Sequence, residues 1–494
     1  MNKPLPQHPL HTRRRAGILL HPTSLPGPAP KGIIGHDAYR FIEFLHKAGI
    51  GVWQMLPLGP THADGSPYQA LSAHACDGSL ISLDWLKDRG LLDAVKTQYD
   101  QAYHQQCLQQ AHTRFMDQQP ATLYAEYQQF GQQHAYWLSD YALFMALREA
   151  HDNQPWTTWD APLRLRQEQA LRKAQQQYAE AIAFHQFTQF VVFQQWHELR
   201  QYANKLGILM FGDLPIYVSL DSADVWANPD LFMLDKTGQA TFVAGVPPDY
   251  FSDTGQRWGN PQYDWPAMQE QNFTWWQARF ETQLELFDLL RIDHFRGFQA
   301  YWEIPATEQT AINGRWVEAP GKALLNQLHK VFENLPLVAE DLGIITDKVH
   351  ALRQAFNLPG MKILQFAFDG NPHNSYLPHN HQFNSVVYTG THDNDTTLSW
   401  YAHQASETHD YIRAYLNSPE DDAMPWPLIR AALASVCCLA VLPMQDILAL
   451  GKGQRMNTPG TTEGNWQWRF NWEQVDDGLE QHLHRLLRLY DRLG

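Results

Sequence analysis

Eight short apolar segments, spread along nearly the whole chain, constrain its fold more than any other feature of the sequence. Each is three to six residues long and ends in polar residues, glycine or proline. Continuous apolarity, in place of alternation, is typical of parallel strands that are buried on both faces. The segments are Ala16–Leu20, Gly51–Leu56, Ile208–Phe211, Leu289–Ile292, Leu337–Ala339, Met361–Gln365, Val386–Tyr388 and Cys438–Leu442.

Helix-like stretches separate most of these segments, for example His36–Ala48, Gly321–Phe332 and Thr346–Phe356. Eight parallel strands that alternate with helices predict an α/β fold, the (β/α)₈ or TIM barrel. We therefore expect one catalytic barrel domain over residues 1–494.

Three connections are too long for simple crossovers, and we expect them to be insertions on the catalytic face of the barrel. They cover about residues 60–205, 214–285 and 297–335 and follow strands two, three and four. The first is predicted to be mostly helical. Between Leu91 and Leu206 the chain has one glycine, Gly131, and is rich in Gln, Ala, Leu and Glu.

The composition excludes several classes of protein. The 62 aromatic residues (18 Trp, 20 Tyr and 24 Phe) need a packed core, which excludes extensive disorder. A net charge of −15 makes nucleic acid a poor partner. The longest apolar run, residues 431–444, is shorter than the roughly 20 residues of a membrane span. Ala16–Leu20 is too short for a secretory signal, and four cysteines form no disulfide framework, so we expect a cytoplasmic protein.

Acidic residues follow four of the predicted strands, and these residues are the candidate site. They are Asp213, Asp293, the pair Glu340–Asp341, and Asp393. A barrel places its active site at the carboxyl ends of its strands. Any one of these residues alone could be a structural ion pair or a helix N-cap. Their recurrence on four strands favours a site that uses carboxylates.

Two of these carboxylates have different surroundings in the sequence. Arg291 and Asp293 are two residues apart on a strand, so their side chains point to the same face. We expect the guanidinium to lower the pKa of Asp293 and keep it ionised, as a nucleophile requires. Glu340 follows apolar residues without a basic neighbour, so we expect a raised pKa and general-acid work. One ionised and one protonated carboxylate is the minimum for retaining glycoside chemistry.

Longer motifs around these residues resemble the 4-alpha-glucanotransferases of the amylomaltase (disproportionating enzyme) type, glycoside hydrolase family 77 in the alpha-amylase clan. The motifs that carry the resemblance extend from His21–Pro26 to Trp468–Arg469. They include Leu56–Pro60, Ser66–Tyr68, Gly212–Tyr217, Arg291–Gly297, Ala339–Gly343, Gly390–Asn394, Pro443–Asp446, Arg455–Gly460 and Gly464–Trp466.

The resemblance implies a role for each candidate residue. Asp293 would be the nucleophile, Glu340 the acid/base and Asp393 the carboxylate that stabilises the transition state. The segment Val246–Trp265 would form a loop over the site. The residues that the resemblance places at the substrate are Arg291, His392, Asp213, Tyr250, Phe251, Gln256, Trp258, His294, Asn465 and Tyr68.

The resemblance also implies the reaction and its partners. The enzyme would transfer a segment of a 1,4-alpha-glucan to the 4-hydroxyl of an acceptor, glucose or another glucan, through a covalent glycosyl-enzyme. Donors and acceptors would be maltooligosaccharides, and neither a metal nor a cofactor is implied. One departure is the turn His62–Gly65, which lacks a tyrosine that some members carry. The alternatives are an alpha-glucan hydrolase of the same clan and a non-catalytic glucan-binding protein.

Overall fold

The computed structural model describes residues 8–248, 252–419 and 421–494, which form twelve strands and eighteen α-helices. The strands are β1 (Arg15–Leu19), β2 (Val52–Gln54), β3 (Leu209–Leu214), β4 (Phe242–Val246), β5 (Gln256–Pro261), β6 (Leu289–Ile292), β7 (Ala300–Pro305), β8 (Arg315–Glu318), β9 (Leu337–Ala339), β10 (Gly360–Ile363), β11 (Ser385–Tyr388) and β12 (Leu439–Pro443).

The helices alternate with the barrel strands and fill the first long connection. They are α1 (His36–Ala48), α2 (Leu83–Asp88), α3 (Gln101–Gln118), α4 (Ala121–Gln133), α5 (Ala135–Ala150), α6 (Ala161–Arg164), α7 (Glu168–Gln177), α8 (Ala179–Lys205), α9 (Ala223–Ala227), α10 (Trp265–Glu270), α11 (Thr274–Leu286), α12 (Gly321–Val331), α13 (Asp347–Ala355), α14 (Thr397–Ala402), α15 (Ser406–Leu416), α16 (Trp426–Ala434), α17 (Met444–Ile447) and α18 (Leu479–Leu489).

Eight strands form the barrel, in the order β10, β11, β12, β1, β2, β3, β6 and β9, and every pairing within this order is parallel. The ends of the series meet where Ala339 donates its backbone N–H to the carbonyl oxygen of Pro359 over 2.8 Å. Each strand coincides with one of the eight apolar segments of the sequence. The predicted (β/α)₈ fold is thereby confirmed.

The connection between β2 and β3 contains α2 to α8, in agreement with its composition. The longest of these helices, α8, packs along α5 and ends just before β3. Its buried residues include Phe187, Phe190, Val191 and Trp196, which join the same continuous core as the barrel strands. The helical insertion is therefore packed directly on the barrel.

The connections that follow β3 and β6 form a second, smaller sheet. Its four strands are antiparallel and lie in the order β5, β4, β7 and β8. The segment Val246–Trp265, expected to be a loop, therefore contains strand β5 and the start of α10. Gly245 on β4 permits this pairing, because a Cβ atom there would stand 2.1 Å from the carbonyl oxygen of Gln256.

Within the described part of the chain, helices that are both long and apolar enough to cross a membrane do not occur.

Candidate active site

Arg291, on β6, joins two of the predicted carboxylates. Its Nη1 donates a hydrogen bond to Oδ2 of Asp213 over 2.6 Å, and its Nη2 donates to Oδ1 of Asp293 over 2.9 Å. Asp213 lies on β3 directly opposite Arg291 in the parallel register. Burial opposes the charge of Arg291, but the two aspartates hold its pKa well above the ordinary value. The base of the site therefore carries a permanent positive charge.

The pKa of Asp293 differs from the sequence-based expectation. It is raised from 3.8 to about 8: burial is the largest cause, Asp213, Glu340 and Asp393 also raise it, and Arg291 lowers it as expected. Desolvation and the neighbouring carboxylates thus outweigh one ion pair, an effect that the local spacing of Arg291 and Asp293 could not reveal. The prediction of a lowered pKa was wrong.

Glu340 follows β9 and is held by two backbone groups. The N–H of His294 donates to Oε2 over 2.7 Å, and the N–H of Leu342 donates to Oε1 over 2.9 Å. His294 reaches this position through a left-handed backbone conformation, with φ of 51°. Burial raises the pKa of Glu340 even though Arg291 and the two N–H groups lower it, so the predicted rise is confirmed.

Asp393, in the turn after β11, is fixed by a distant segment. Asn457 donates its Nδ2–H to Oδ1 of Asp393 over 2.6 Å, and Arg455 donates to the backbone carbonyl of Asp393 over 2.7 Å. On the other side, Nε2 of His392 lies 3.4 Å from Oδ2 of Asp393. The carboxylate is 44% exposed, which leaves it accessible to a ligand.

Tyr68 connects the first insertion to the carboxylates. Its hydroxyl donates to Oδ2 of Asp213 over 2.7 Å, and its ring stacks on His392 with the centroids 5.3 Å apart and the planes at 14°. Burial lowers the pKa of His392, so its imidazole is neutral at pH 7. Tyr68, Trp466 and His392 form an aromatic wall beside Asp393.

Trp258 and Gln256 lie on β5, and His294 lies opposite them. The indole Nε1–H donates to Oε1 of Gln256 over 3.1 Å. The Trp258 ring meets the His294 ring edge to face, with the centroids 4.9 Å apart. Burial lowers the pKa of His294 to about 3, so this ring is also neutral. Tyr250 and Phe251, predicted beside them, lie outside the described residues.

Asn465, which the resemblance places at the substrate, is hydrogen-bonded within its own turn. Its Oδ1 accepts the N–H of Thr458, and its Nδ2 donates to the carbonyl and hydroxyl of Thr461. The side chain is 8% exposed and closes the turn that follows Asn457. Its contact with sugar stays a prediction. Asn457 is the asparagine that reaches a candidate catalytic carboxylate here.

Asn457 and Arg455 are functional candidates that sequence reasoning did not single out. Both lie in the motif Arg455–Gly460, but each acts on Asp393 from more than 60 positions away along the chain, so the motif did not show which residue they contact. Asp341, next to Glu340, has a structural role. Its Oδ1 accepts the N–H of Met361 over 2.7 Å, and Arg353 pairs with it.

The described residues contain no group of three or more His, Cys, Asp or Glu side chains arranged to hold a metal ion. The site instead collects carboxylates around one guanidinium, with aromatic rings at its walls. Such surfaces suit sugars, which present apolar C–H faces and rims of hydroxyl groups.

A family model described as 4-alpha-glucanotransferase matches residues 20–475. The chain belongs to this glucanotransferase family. The 4-alpha-glucanotransferase of Synechocystis is 49% identical over 97% of this chain and 98% of its own length. That of Thermus thermophilus is 49% identical over 92% of this chain and 94% of its own.

A solved structure leads to the same family. The amylomaltase of Streptococcus agalactiae, in complex with acarbose, matches with a TM-score of 0.94 and 37% identity, over 98% of this chain and all of that one. The predicted transferase activity on 1,4-alpha-glucans is confirmed at the level of the family. The hydrolase alternative gains no support from these matches. The roles of individual residues in this glucanotransferase remain predictions.

Proposed function

We propose that this glucanotransferase works by retaining double displacement, with Asp293 as nucleophile, Glu340 as acid/base and Asp393 as stabiliser of the transition state. The observation that supports these roles is the ion pair between Arg291 and Asp293, which Glu340 does not share. Burial favours a proton on both carboxyls, but only the aspartate has a direct counterion. Asp293 must therefore lose to solvent the proton that burial favours before it attacks, and the ion pair with Arg291 supports that charged form; Glu340, without a direct counterion, keeps its proton for the leaving oxygen.

The reaction then follows from this arrangement. Glu340 protonates the leaving glycosidic oxygen while Asp293 attacks the anomeric carbon, which gives a covalent glycosyl-enzyme and frees the shortened glucan. The positive charge that develops on the sugar acts with Arg291 to favour ionised Asp293, and Asp393 stabilises that charge. In the second half, Glu340 removes the proton from the acceptor 4-hydroxyl, whose oxygen displaces Asp293.

The substrates that we propose are maltooligosaccharides and linear 1,4-alpha-glucans, with glucose as acceptor or product. A net charge of −15 is consistent with neutral substrates and unfavourable for nucleic acid. We also propose a cytoplasmic enzyme, because its four cysteines are free and buried. The connections of about residues 60–205, 214–285 and 297–335 act as subdomains of one catalytic unit.

The experiment begins with maltotriose as the sole substrate. Transfer yields glucose and a ladder of longer glucans with constant total reducing ends, whereas hydrolysis increases the reducing ends. Asp293→Ala should lose about 10⁴-fold or more of this activity, as removal of a nucleophile does elsewhere. Asp369→Asn, an exposed carboxylate after β10, is the control and should behave as wild type.

Glu340→Gln separates acid catalysis from attack. It should lose about 10²- to 10⁴-fold activity on maltotriose. A donor with a good leaving group should still glycosylate Asp293 in this variant, which mass spectrometry would detect as a covalent adduct. Equal loss on both donors would exclude Glu340 as the acid/base.

A further inference from the structure

Trp316 lies partly exposed on β8, the edge strand of the small sheet. It is 39% exposed, although most tryptophans of the core are fully buried. Its cross-strand neighbour Trp302 meets it edge to face, with the ring centroids 5.2 Å apart. A partly exposed indole offers a flat apolar surface on which a sugar ring can stack.

Arg296 holds the indole from beneath. Its guanidinium carbon lies 3.7 Å from the centroid of the Trp316 ring, and its Nη1 donates to the carbonyl oxygen of Ile344. Arg296 itself is only 5% exposed. A cation stacked on one face fixes the orientation of the ring and covers that face, and 39% of the residue stays exposed.

The position of this indole ties it to the catalytic site. Arg296 is the third residue after Asp293, so their Cα atoms are at most about 11 Å apart. Ile344 is the fourth residue after Glu340. The hairpin of β7 and β8 also connects β6 to β9, the strands that end at these two carboxyls. Arg296 therefore joins Trp316 to the two segments that carry the nucleophile and the acid/base.

Polar groups lie beside the ring. Glu318 is two residues from Trp316 on β8, and so on the same face of the strand. Its Oε1 accepts a hydrogen bond from Nζ of Lys348 on α13 over 2.6 Å, and both side chains are more than 70% exposed. A flat apolar face next to exposed donors and acceptors matches the surface of a glucose unit.

We propose that Trp316 is a remote glucan subsite, where a glucose unit of a long donor or acceptor chain stacks on the free face of the indole. The link through Arg296 and Ile344 to both carboxyl-bearing segments is the reason for naming a glucan bound at the catalytic site as the occupant. The inference rests on the function proposed above and adds to it a preference for longer chains. Glu318 and Lys348 lie where they can bind sugar hydroxyls.

The test compares kcat/KM for transfer on maltoheptaose with that on maltotriose, using the full-length enzyme. In Trp316→Ala the ratio of the two values should fall about tenfold, as loss of one stacked aromatic contact allows. Trp316→Tyr should restore most of the ratio. The matched control is Trp85→Ala, because Trp85 also stacks on an arginine, with Arg89 3.5 Å away, but lies on α2. Its ratio should equal the wild-type ratio.

Two results would overturn the subsite. One is a Trp316→Ala enzyme whose kcat/KM equals that of wild type on both substrates. The other is an equal fall on both substrates, which would mean that the indole only supports Arg296 and the loops that carry the carboxyls. The same assay also measures wild type and Asp293→Ala. If wild type transfers and Asp293→Ala is inactive, the proposed function holds, and either result above then counts against the subsite alone. Circular dichroism verifies that each variant is folded.

Discussion

At Asp293, burial and ion pairing act on one carboxyl in opposite directions, and this conflict links catalysis to stability. The pKa is raised from 3.8 to about 8, so the folded chain binds this proton more tightly than the unfolded chain. The stabilisation is complete below the unfolded pKa, near 4, and is lost as the pH rises towards 8. At neutral pH the group that performs the chemistry therefore costs stability.

Asp293→Asn tests this linkage. Because asparagine has no proton to lose, the melting temperature of the variant minus that of wild type should increase between pH 5 and pH 8. An increase of a few °C is expected, on the order that about 1–3 kcal/mol gives in a large domain. Calorimetry at several pH values measures it.

Asp93→Asn is the control for this series. Hydrogen bonds from Arg114 lower the pKa of Asp93, so this carboxylate is fully charged in both states from pH 5 to pH 8. Its difference in melting temperature should not change with pH. A flat difference for Asp293→Asn as well would mean that Arg291 keeps the nucleophile ionised throughout, as its spacing alone suggested.

The residues of the site also show which of its features could be predicted from the sequence. Carboxylates at strand ends were predictable, because strand ends of a parallel barrel share one face. The contact of Asn457 with Asp393 was not, since the two are 64 positions apart and neither lies in a periodic pattern. The net pKa of Asp293 was not predictable either, because it depends on three carboxylates that come from other strands.

Among the elements, the barrel strands and the small sheet differ in how strongly their sequences indicate them. Strands such as β11 and β12 are buried on both faces and read as continuous apolar runs. Strand β5, Gln256–Pro261, begins with exposed polar residues and contains glycine and proline. Nothing in its pattern distinguishes it from a loop, and only its pairing with β4 makes it a strand.

Gly245→Ala tests how much that pairing matters. The added Cβ would stand 2.1 Å from the Gln256 carbonyl oxygen and 2.7 Å from Cδ1 of Ile304, so β5 must move away. Because β5 carries Trp258 and Gln256, we expect the acceptor sugar to bind more weakly and water to reach the glycosyl-enzyme more easily. The ratio of hydrolysis to transfer should rise several-fold, measured as new reducing ends per glucose released from maltotriose.

The control for this change is Gly131→Ala. Gly131 lies in α4 with nothing within 4 Å of an added Cβ, so alanine there should leave the ratio unchanged and stabilise the helix slightly. If Gly245→Ala folds and also keeps the wild-type ratio, then the hairpin of β4 and β5 does not govern the choice between sugar and water.

At the scale of the whole molecule, the buried Arg492 and its neighbour Arg14, which donates to two of the same carbonyls, hold the face of the barrel opposite the active site together. Arg492, just after α18, is 0% exposed. It donates hydrogen bonds to four backbone carbonyls, those of Arg15 at the start of β1 and of Leu433, Ser435 and Cys437 before β12. The strands β1 and β12 are neighbours in the barrel. Arg492 thus ties α18 to the seam between the first and last strands.

Arg492→Met should therefore destabilise the whole barrel rather than its site. Methionine fills much of the same volume but leaves the carbonyls of Arg15 and Cys437 without this donor, at about 1–3 kcal/mol for each one that water cannot reach, whereas Arg14 still donates to the carbonyls of Leu433 and Ser435. We expect a loss of at least about 2 kcal/mol in the free energy of unfolding, measured as a lower urea midpoint with an unchanged slope. The control is Arg488→Met. Arg488 is an exposed arginine on α18, so this variant should keep the free energy of unfolding within about 0.5 kcal/mol of wild type.

At urea concentrations below the transition, kcat of Arg492→Met on maltotriose should equal that of wild type, since Arg492 lies at the far end of the strands from the carboxyls. A midpoint shift as small as that of Arg488→Met would mean that α18 holds the seam through its apolar face, with Leu483 and Leu487, and that Arg492 adds little.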